Sequence, residues 1–171
     1  SYAALQYACE LVGTSKGFRF VPHCRGWSNK KASEFYNYAL SVLSSAYPPD
    51  VLIYQVWSQN NTTDTTYPTE LALAADIVSR CRRQGVTPVL LNGIPLNAWG
   101  AGEAAKEAAR LALNVTVAQW GVPLIDADSV LSDGASPANY LATYGSAAHP
   151  NYAGHQALAV EYARVLALLV S

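Results

Sequence analysis

The stretch VLIYQVW, Val51 to Trp57, is an almost unbroken apolar run of seven residues. Pro48-Pro49-Asp50 stands before it and Ser58-Gln59-Asn60-Asn61 after it. A strand that faces water on one side alternates apolar and polar residues. A run without alternation predicts a strand covered on both faces, as in a parallel sheet between helices. The neighbouring segments agree. Glu70–Gln84 places Leu71, Ala74, Ile77, Val78 and Cys81 at helical spacing, with Arg80, Arg82 and Arg83 in the last turn and Gly85 as the stop. Thr87–Leu91 then reads as a second β run.

The same alternation runs along the whole chain. Helices are expected over Ser1–Val12 (stopped by Gly13), Asn29–Tyr47, Gly102–Trp120 and Tyr152–Val170. Short strands are expected at Phe18–Val21 and at Leu124-Ile125-Asp126. Alternating β and α segments predict an α/β fold of three layers, a flavodoxin-like parallel sheet with helices on both faces. The chain shows no repeat, low-complexity tract or linker, so residues 1–171 are expected to form one domain.

Composition narrows the function classes. The chain has 171 residues, 51% hydrophobic and 13% charged, with a formal net charge of −1. No basic face is implied, so no nucleic acid partner is expected. No apolar run reaches the length of a membrane span, so no membrane partner is expected either. Cys9, Cys24 and Cys81 are too few for a disulfide scaffold. They read as buried thiols, with one bridge possible. Three histidines without a ligand cluster suggest no metal, and no cofactor motif is present. Sequons at Asn60, Asn61 and Asn114 would matter on a eukaryotic secretory route. The compartment stays open, with an extracellular setting favoured.

Sites in such sheets lie beyond the carboxyl ends of the strands. Those ends carry His23-Cys24-Arg25-Gly26, Trp57-Ser58-Gln59-Asn60, Asn92-Gly93 and Asp126-Ala127-Asp128. The segment SAAHPNYAGH, Ser146 to His155, precedes the last helix on the same rim. There Pro150 suits a first helical position and holds His149 ahead of it. A neutral imidazole is the side chain best suited to take and return a proton near pH 7. The amide of Asn60 could donate to an oxyanion, and Gly26 could offer its backbone N–H. Each feature alone reads more simply as a helix start or a turn.

Taken in order, these segments resemble the SGNH (GDSL-type) hydrolases. Gly26 in RGWS matches the family's glycine after the second strand. PPDVLIYQVWSQNN matches the third motif, with Asn60 at its asparagine. HPNYAGH matches the last motif, with His149 at its histidine. PVLLNGIPLNAW, Pro88 to Trp99, resembles the family's fourth strand and following loop. The resemblance implies a serine esterase working through an acyl-enzyme. His149 would be the base, with Gly26 and Asn60 in the oxyanion hole.

The departures are equally specific. Ser58 stands at a usual glycine and Asn61 at a usual aspartate. Ser146 stands at the aspartate that orients the histidine. A serine cannot stabilise an imidazolium as a carboxylate does. Either a Ser–His dyad operates or another acid, Asp126, Asp128 or Asp133, reaches in. No Gly-Asp-Ser occurs in the sequence. The resemblance therefore implies that the family's central first strand and its nucleophile lie before Ser1. About 15–30 residues would come from upstream polypeptide or a second chain, making an ordinary domain size. Ser1, Ser28 and Ser58 are weaker nucleophile candidates.

The expected substrate is a small ester or an acetylated glycan, with an O-acetyl esterase preferred. Trp27, Trp57 and Trp99 are candidates to stack on sugar or line an acyl pocket. The alternative is an inactive carbohydrate-binding module of the same fold. A flavodoxin-like nucleotide-binding domain is disfavoured, because no Gly-rich phosphate loop follows any strand.

Overall fold

The computed structural model describes residues 2–17, 21–22, 31–58, 67–95, 103–134, 145–146 and 149–170. The chain divides into two compact units. One comprises Arg25–Gly93 and Gly102–Leu124; the other comprises Ser1–Cys24, Ile94–Ala101 and Ile125–Ser171.

In the first of these, strand β1 (Val51–Gln55) pairs in parallel with β2 (Thr87–Leu91), with Val51 opposite Thr87 and Gln55 opposite Leu91. Helix α3 (Tyr67–Arg83) makes the crossover between them. Helices α2 (Ala32–Leu43) and α4 (Glu103–Ala118) each pack on α3. Strand β3 (Leu124–Ile125) completes a sheet of order β1-β2-β3, and the Leu90 N–H donates to the Pro123 carbonyl at 2.9 Å. The core gathers Ala39 and Leu43 from α2, Tyr54 from β1 and Ala74, Ile77, Val78 and Cys81 from α3. Leu90, Leu113 and Val117 close it from β2 and α4. The inward face predicted for α3 is therefore the observed one, apart from a partly buried Leu71.

Helix α3 shows why its end is sharp. Gly85 adopts φ +72°, open to glycine but strained for other residues. The Val86 N–H reaches back to the Cys81 carbonyl at 2.9 Å and the Gly85 N–H to Arg82 at 3.4 Å. Those two bonds are a Schellman closure, which satisfies carbonyls the helix leaves unpaired.

The boundaries differ from expectation where side chains compete for the backbone. The run from Val51 ends as a strand at Gln55, not Trp57. Val56 still bonds Leu91, but the Gln55 side-chain amide turns to the Trp57 carbonyl at 2.7 Å. Helix α2 stops at Leu43, short of Tyr47, where the Ser45 hydroxyl and N–H both take the Val42 carbonyl. It begins at Ala32, where the Glu34 carboxylate accepts the Lys31 N–H at 2.9 Å.

In the other unit, α1 (Tyr2–Lys16) packs along α6 (Tyr152–Leu169), as does the short α5 (Ala127–Leu131). Helix α1 passes through Gly13 and ends at Gly17, which carries φ +73°. Ala4, Ala8, Cys9 and Val12 are buried on α1, and Leu158, Tyr162, Val165 and Leu166 are among the buried residues of α6. Asp126 is not a strand residue. It caps α5, its carboxylate accepting the Ser129 N–H at 3.2 Å. The predicted strand Phe18–Val21 lies outside the described residues except for the exposed Val21. Cys9 and Cys81 are buried free thiols, and Cys24 lies outside the described residues.

Candidate active site

Of the four residues singled out in the sequence, Gly26 and Asn60 lie outside the described residues, as do His23, Trp27 and Trp99. Ser146 and His149 are brought together by the backbone. Strand β4 (Gly145–Ser146) pairs antiparallel with β5 (His149–Pro150), with Ser146 opposite His149 and Gly145 opposite Pro150. The residue at the acid position is thus the ladder partner of the histidine.

Pro150 is not the first helical residue. It belongs to β5, and Asn151 is the N-cap of α6, its side-chain oxygen accepting the Gly154 N–H at 3.0 Å. Asparagine is among the best caps, so the helix starts at Tyr152, two residues later than Pro150 as a first helical residue would give. The His155 N–H closes the first turn on the Asn151 carbonyl at 2.9 Å. His149 is thereby placed two residues ahead of the N-cap of α6 and opposite Ser146.

Of the other candidate acids, Asp126 has a partner in α5. The Asp126 carboxylate caps α5, and its backbone N–H donates to Glu161 Oε1 at 3.0 Å. Glu161 also accepts two bonds from Arg164, both at 2.7 Å. These bonds hold the Glu161 carboxyl below its ordinary range. Asp128 lies within the first turn of α5.

Trp57 is corrected from a ligand-stacking candidate to a core residue, only 4% exposed. Ser58 is equally buried at 2%. The alanine-rich pattern of α4 hides a buried polar cluster. Arg110, 1% exposed, bonds Glu107 through Nε at 2.6 Å and Nη2 at 2.7 Å, and the Gly93 carbonyl through Nη1 at 2.6 Å. Asn114 accepts the Gly93 N–H at 2.8 Å and donates to the Gly93 carbonyl at 3.0 Å. The signal in the sequence was the spacing of Glu107, Arg110 and Asn114, three and four apart on one helical face.

A second missed residue is Glu70, in the first turn of α3. It is 1% exposed, neither carboxyl oxygen has a hydrogen-bond partner, and burial pushes its pKa up to about 8. Among the described residues, no group of three or more His, Cys, Asp or Glu is placed to hold a metal ion. No described helix is long and apolar enough to cross a membrane.

Solved structures resemble this chain over nearly its whole length. A Bacteroides fragilis protein assigned as an acylhydrolase matches with TM-score 0.73 at 15% identity, covering 99% of this chain and 84% of its own. A carbohydrate esterase family 3 protein from Talaromyces cellulolyticus matches at 0.64 and 18% identity, covering 96% and 90%. A GDSL-like lipase from Bacteroides thetaiotaomicron matches at 0.66 and 11% identity, covering 99% and 82%. The fold is that of the SGNH hydrolases. No family model matches the sequence, and no curated protein matches it. Within the SGNH fold, the α/β/α arrangement read from VLIYQVW is the observed fold class. The β1 end leads toward Asn60, and β5 carries His149.

Proposed function

We propose that the domain is a serine esterase that removes O-acetyl groups from carbohydrate, or cleaves another small ester, through an acyl-enzyme. The observation that carries this reading is the placement of His149, opposite Ser146 and two residues before the N-cap of α6, in a fold shared with a protein assigned as an acylhydrolase. The carbohydrate esterase among the similar structures supports the glycan substrate.

His149 takes the proton of a serine hydroxyl as the oxygen attacks the ester carbonyl. The tetrahedral oxyanion is held by the Asn60 amide, the Gly26 N–H and the N–H of the nucleophile. His149 then returns the proton to the leaving alcohol, and water repeats the sequence on the acyl-enzyme. With Ser146 at the acid position, the imidazole works in a Ser–His dyad. The nucleophile is supplied by a segment outside this sequence, upstream or on a second chain.

Fluorophosphonate labelling of the native material, read by mass spectrometry, tests this. A label on a peptide outside residues 1–171, lost in His149→Ala, supports the proposal. Asn60→Ala should lower kcat by roughly 10²–10³-fold. Ser146 and the missing Gly-Asp-Ser favour a second reading, an inactive carbohydrate-binding module. No label on folded, complete domain would select that reading.

A further inference from the structure

With Trp57 in the core, and Trp27 and Trp99 outside the described residues, another ring stands in the open near the candidate base. Tyr152 is the first residue of α6 and is 77% exposed. It follows His149 by three residues. Three residues of chain span at most about 11 Å, so the ring stands within the length of a short oligosaccharide from the histidine. Tyr47 is more exposed still, but it leads into the amino end of β1, and sites in such sheets lie beyond the carboxyl ends.

The Tyr152 ring is also held in place. Gln156 lies one helical turn on, and its Nε2 donates to the Tyr152 Oη at 3.2 Å. A ring already fixed loses little freedom when a ligand settles on it. That bond leaves the phenol's own hydrogen and the Gln156 carbonyl oxygen without a partner among the described residues. Val160 continues the same exposed face one turn further, and α6 carries no Asp, Glu, Lys or Arg before Glu161. The face therefore joins flat apolar surface to neutral donors and acceptors. Such a surface suits the C–H face and hydroxyls of an uncharged sugar, and it offers nothing to balance an ionic group.

We propose that Tyr152 and Gln156 form a sugar-binding subsite next to His149. One uncharged pyranose ring of the acetylated glycan stacks on Tyr152, and its hydroxyls bond the phenol and the Gln156 amide. This deepens the esterase reading and rests on it, since the ester at His149 fixes where the bound sugar begins.

The test is steady-state hydrolysis by the complete enzyme of two esters, a partly O-acetylated cello-oligosaccharide and ethyl acetate, which has no ring. Melting temperature is measured in parallel. Wild type should show the higher kcat/KM on the oligosaccharide. Tyr152→Ala should raise KM for the oligosaccharide about tenfold and leave its kcat, both constants for ethyl acetate and the melting temperature unchanged. Tyr152→Phe keeps the ring and should stay within about threefold of wild type. An unchanged oligosaccharide KM in Tyr152→Ala overturns the subsite, as does an equal loss on both esters, which would mark a role in the helix start alone. A wild type active on ethyl acetate with no preference for the oligosaccharide overturns it too. A wild type that hydrolyses neither ester would instead overturn the esterase reading, and the subsite with it.

Discussion

At Ser146, under the proposed esterase reading, a serine stands where the orienting acid of the triad is expected. The backbone ladder puts residue 146 opposite His149, so the position of the acid is kept while its charge is not. Ser146→Asp should raise kcat at least tenfold if the dyad is limited by an unstabilised imidazolium. A carboxylate there favours the protonated imidazole, so the His149 pKa rises. The base must be neutral to act, so the acidic limb of the kcat/KM profile should move to higher pH. An unmoved limb would show that residue 146 does not face the base. Asn114 gives a second prediction at this scale. The residue lies in an N-x-T sequon, but its amide is buried and engaged on both atoms by Gly93. A glycan at that nitrogen is incompatible with its bonds to Gly93 and its burial. Protein secreted from a eukaryotic host should therefore carry no glycan on Asn114, checked by peptide mass spectrometry. The burial of this asparagine was not legible in the sequence, because N-x-T spacing says nothing about which helical face turns inward.

Among the elements, the long periodic helices were the most legible. Ile77, Val78 and Cys81 repeat at the helical period, and Gly85 follows them with the φ that ends a helix. Boundaries set by one polar side chain were not, as Gln55, Ser45 and Asp126 show. Nor was Glu70, whose place in a first turn predicts an ordinary exposed acid that complements the dipole. Burial raises its pKa to about 8, and burial, with the Glu70 carboxylate as a smaller cause, pushes the Tyr54 phenol up as well. The consequence for stability has a definite sign. Between about pH 4.5 and about pH 8 the unfolded chain has released this proton and the folded chain has not. Stability is then full below the lower limit and falls as pH rises through the window. The loss is on the order of a few kcal/mol, at about 1.4 kcal/mol per pKa unit. Glu70→Gln keeps the shape and removes the titration. Urea unfolding between pH 5 and 9 should show wild-type stability falling with pH and a flatter curve for the variant. Parallel curves would mean that the carboxyl ionises freely in the folded protein.

For the whole molecule, the class of fold was legible because buried parallel strands and amphipathic helices leave strong periodic signals. The candidate site was legible only as an ordered set of weak motifs. His149 and Ser146 are held by a two-residue ladder, too short to leave any pattern, while Gly26 and Asn60 lie outside the described residues. The proposed nucleophile strand makes a prediction about the assembly. Among the described residues β1 pairs only with β2, and the proposal places the upstream strand along the other edge of β1. Exposed edge groups cost free energy and invite association, so a sheet that gains that strand should be more stable and less prone to aggregate. A chain extended upstream through the proposed Gly-Asp-Ser segment should melt several degrees above residues 1–171, consistent with about 1 kcal/mol or more in a domain of this size. The gain should survive replacement of the serine by alanine, because the backbone pairing and not the hydroxyl supplies it. Hydrogen exchange at Leu52–Tyr54 should slow at the same time. Equal melting temperatures with unchanged exchange along β1 would show that the extension adds no strand to this sheet, and the nucleophile would have to be sought elsewhere.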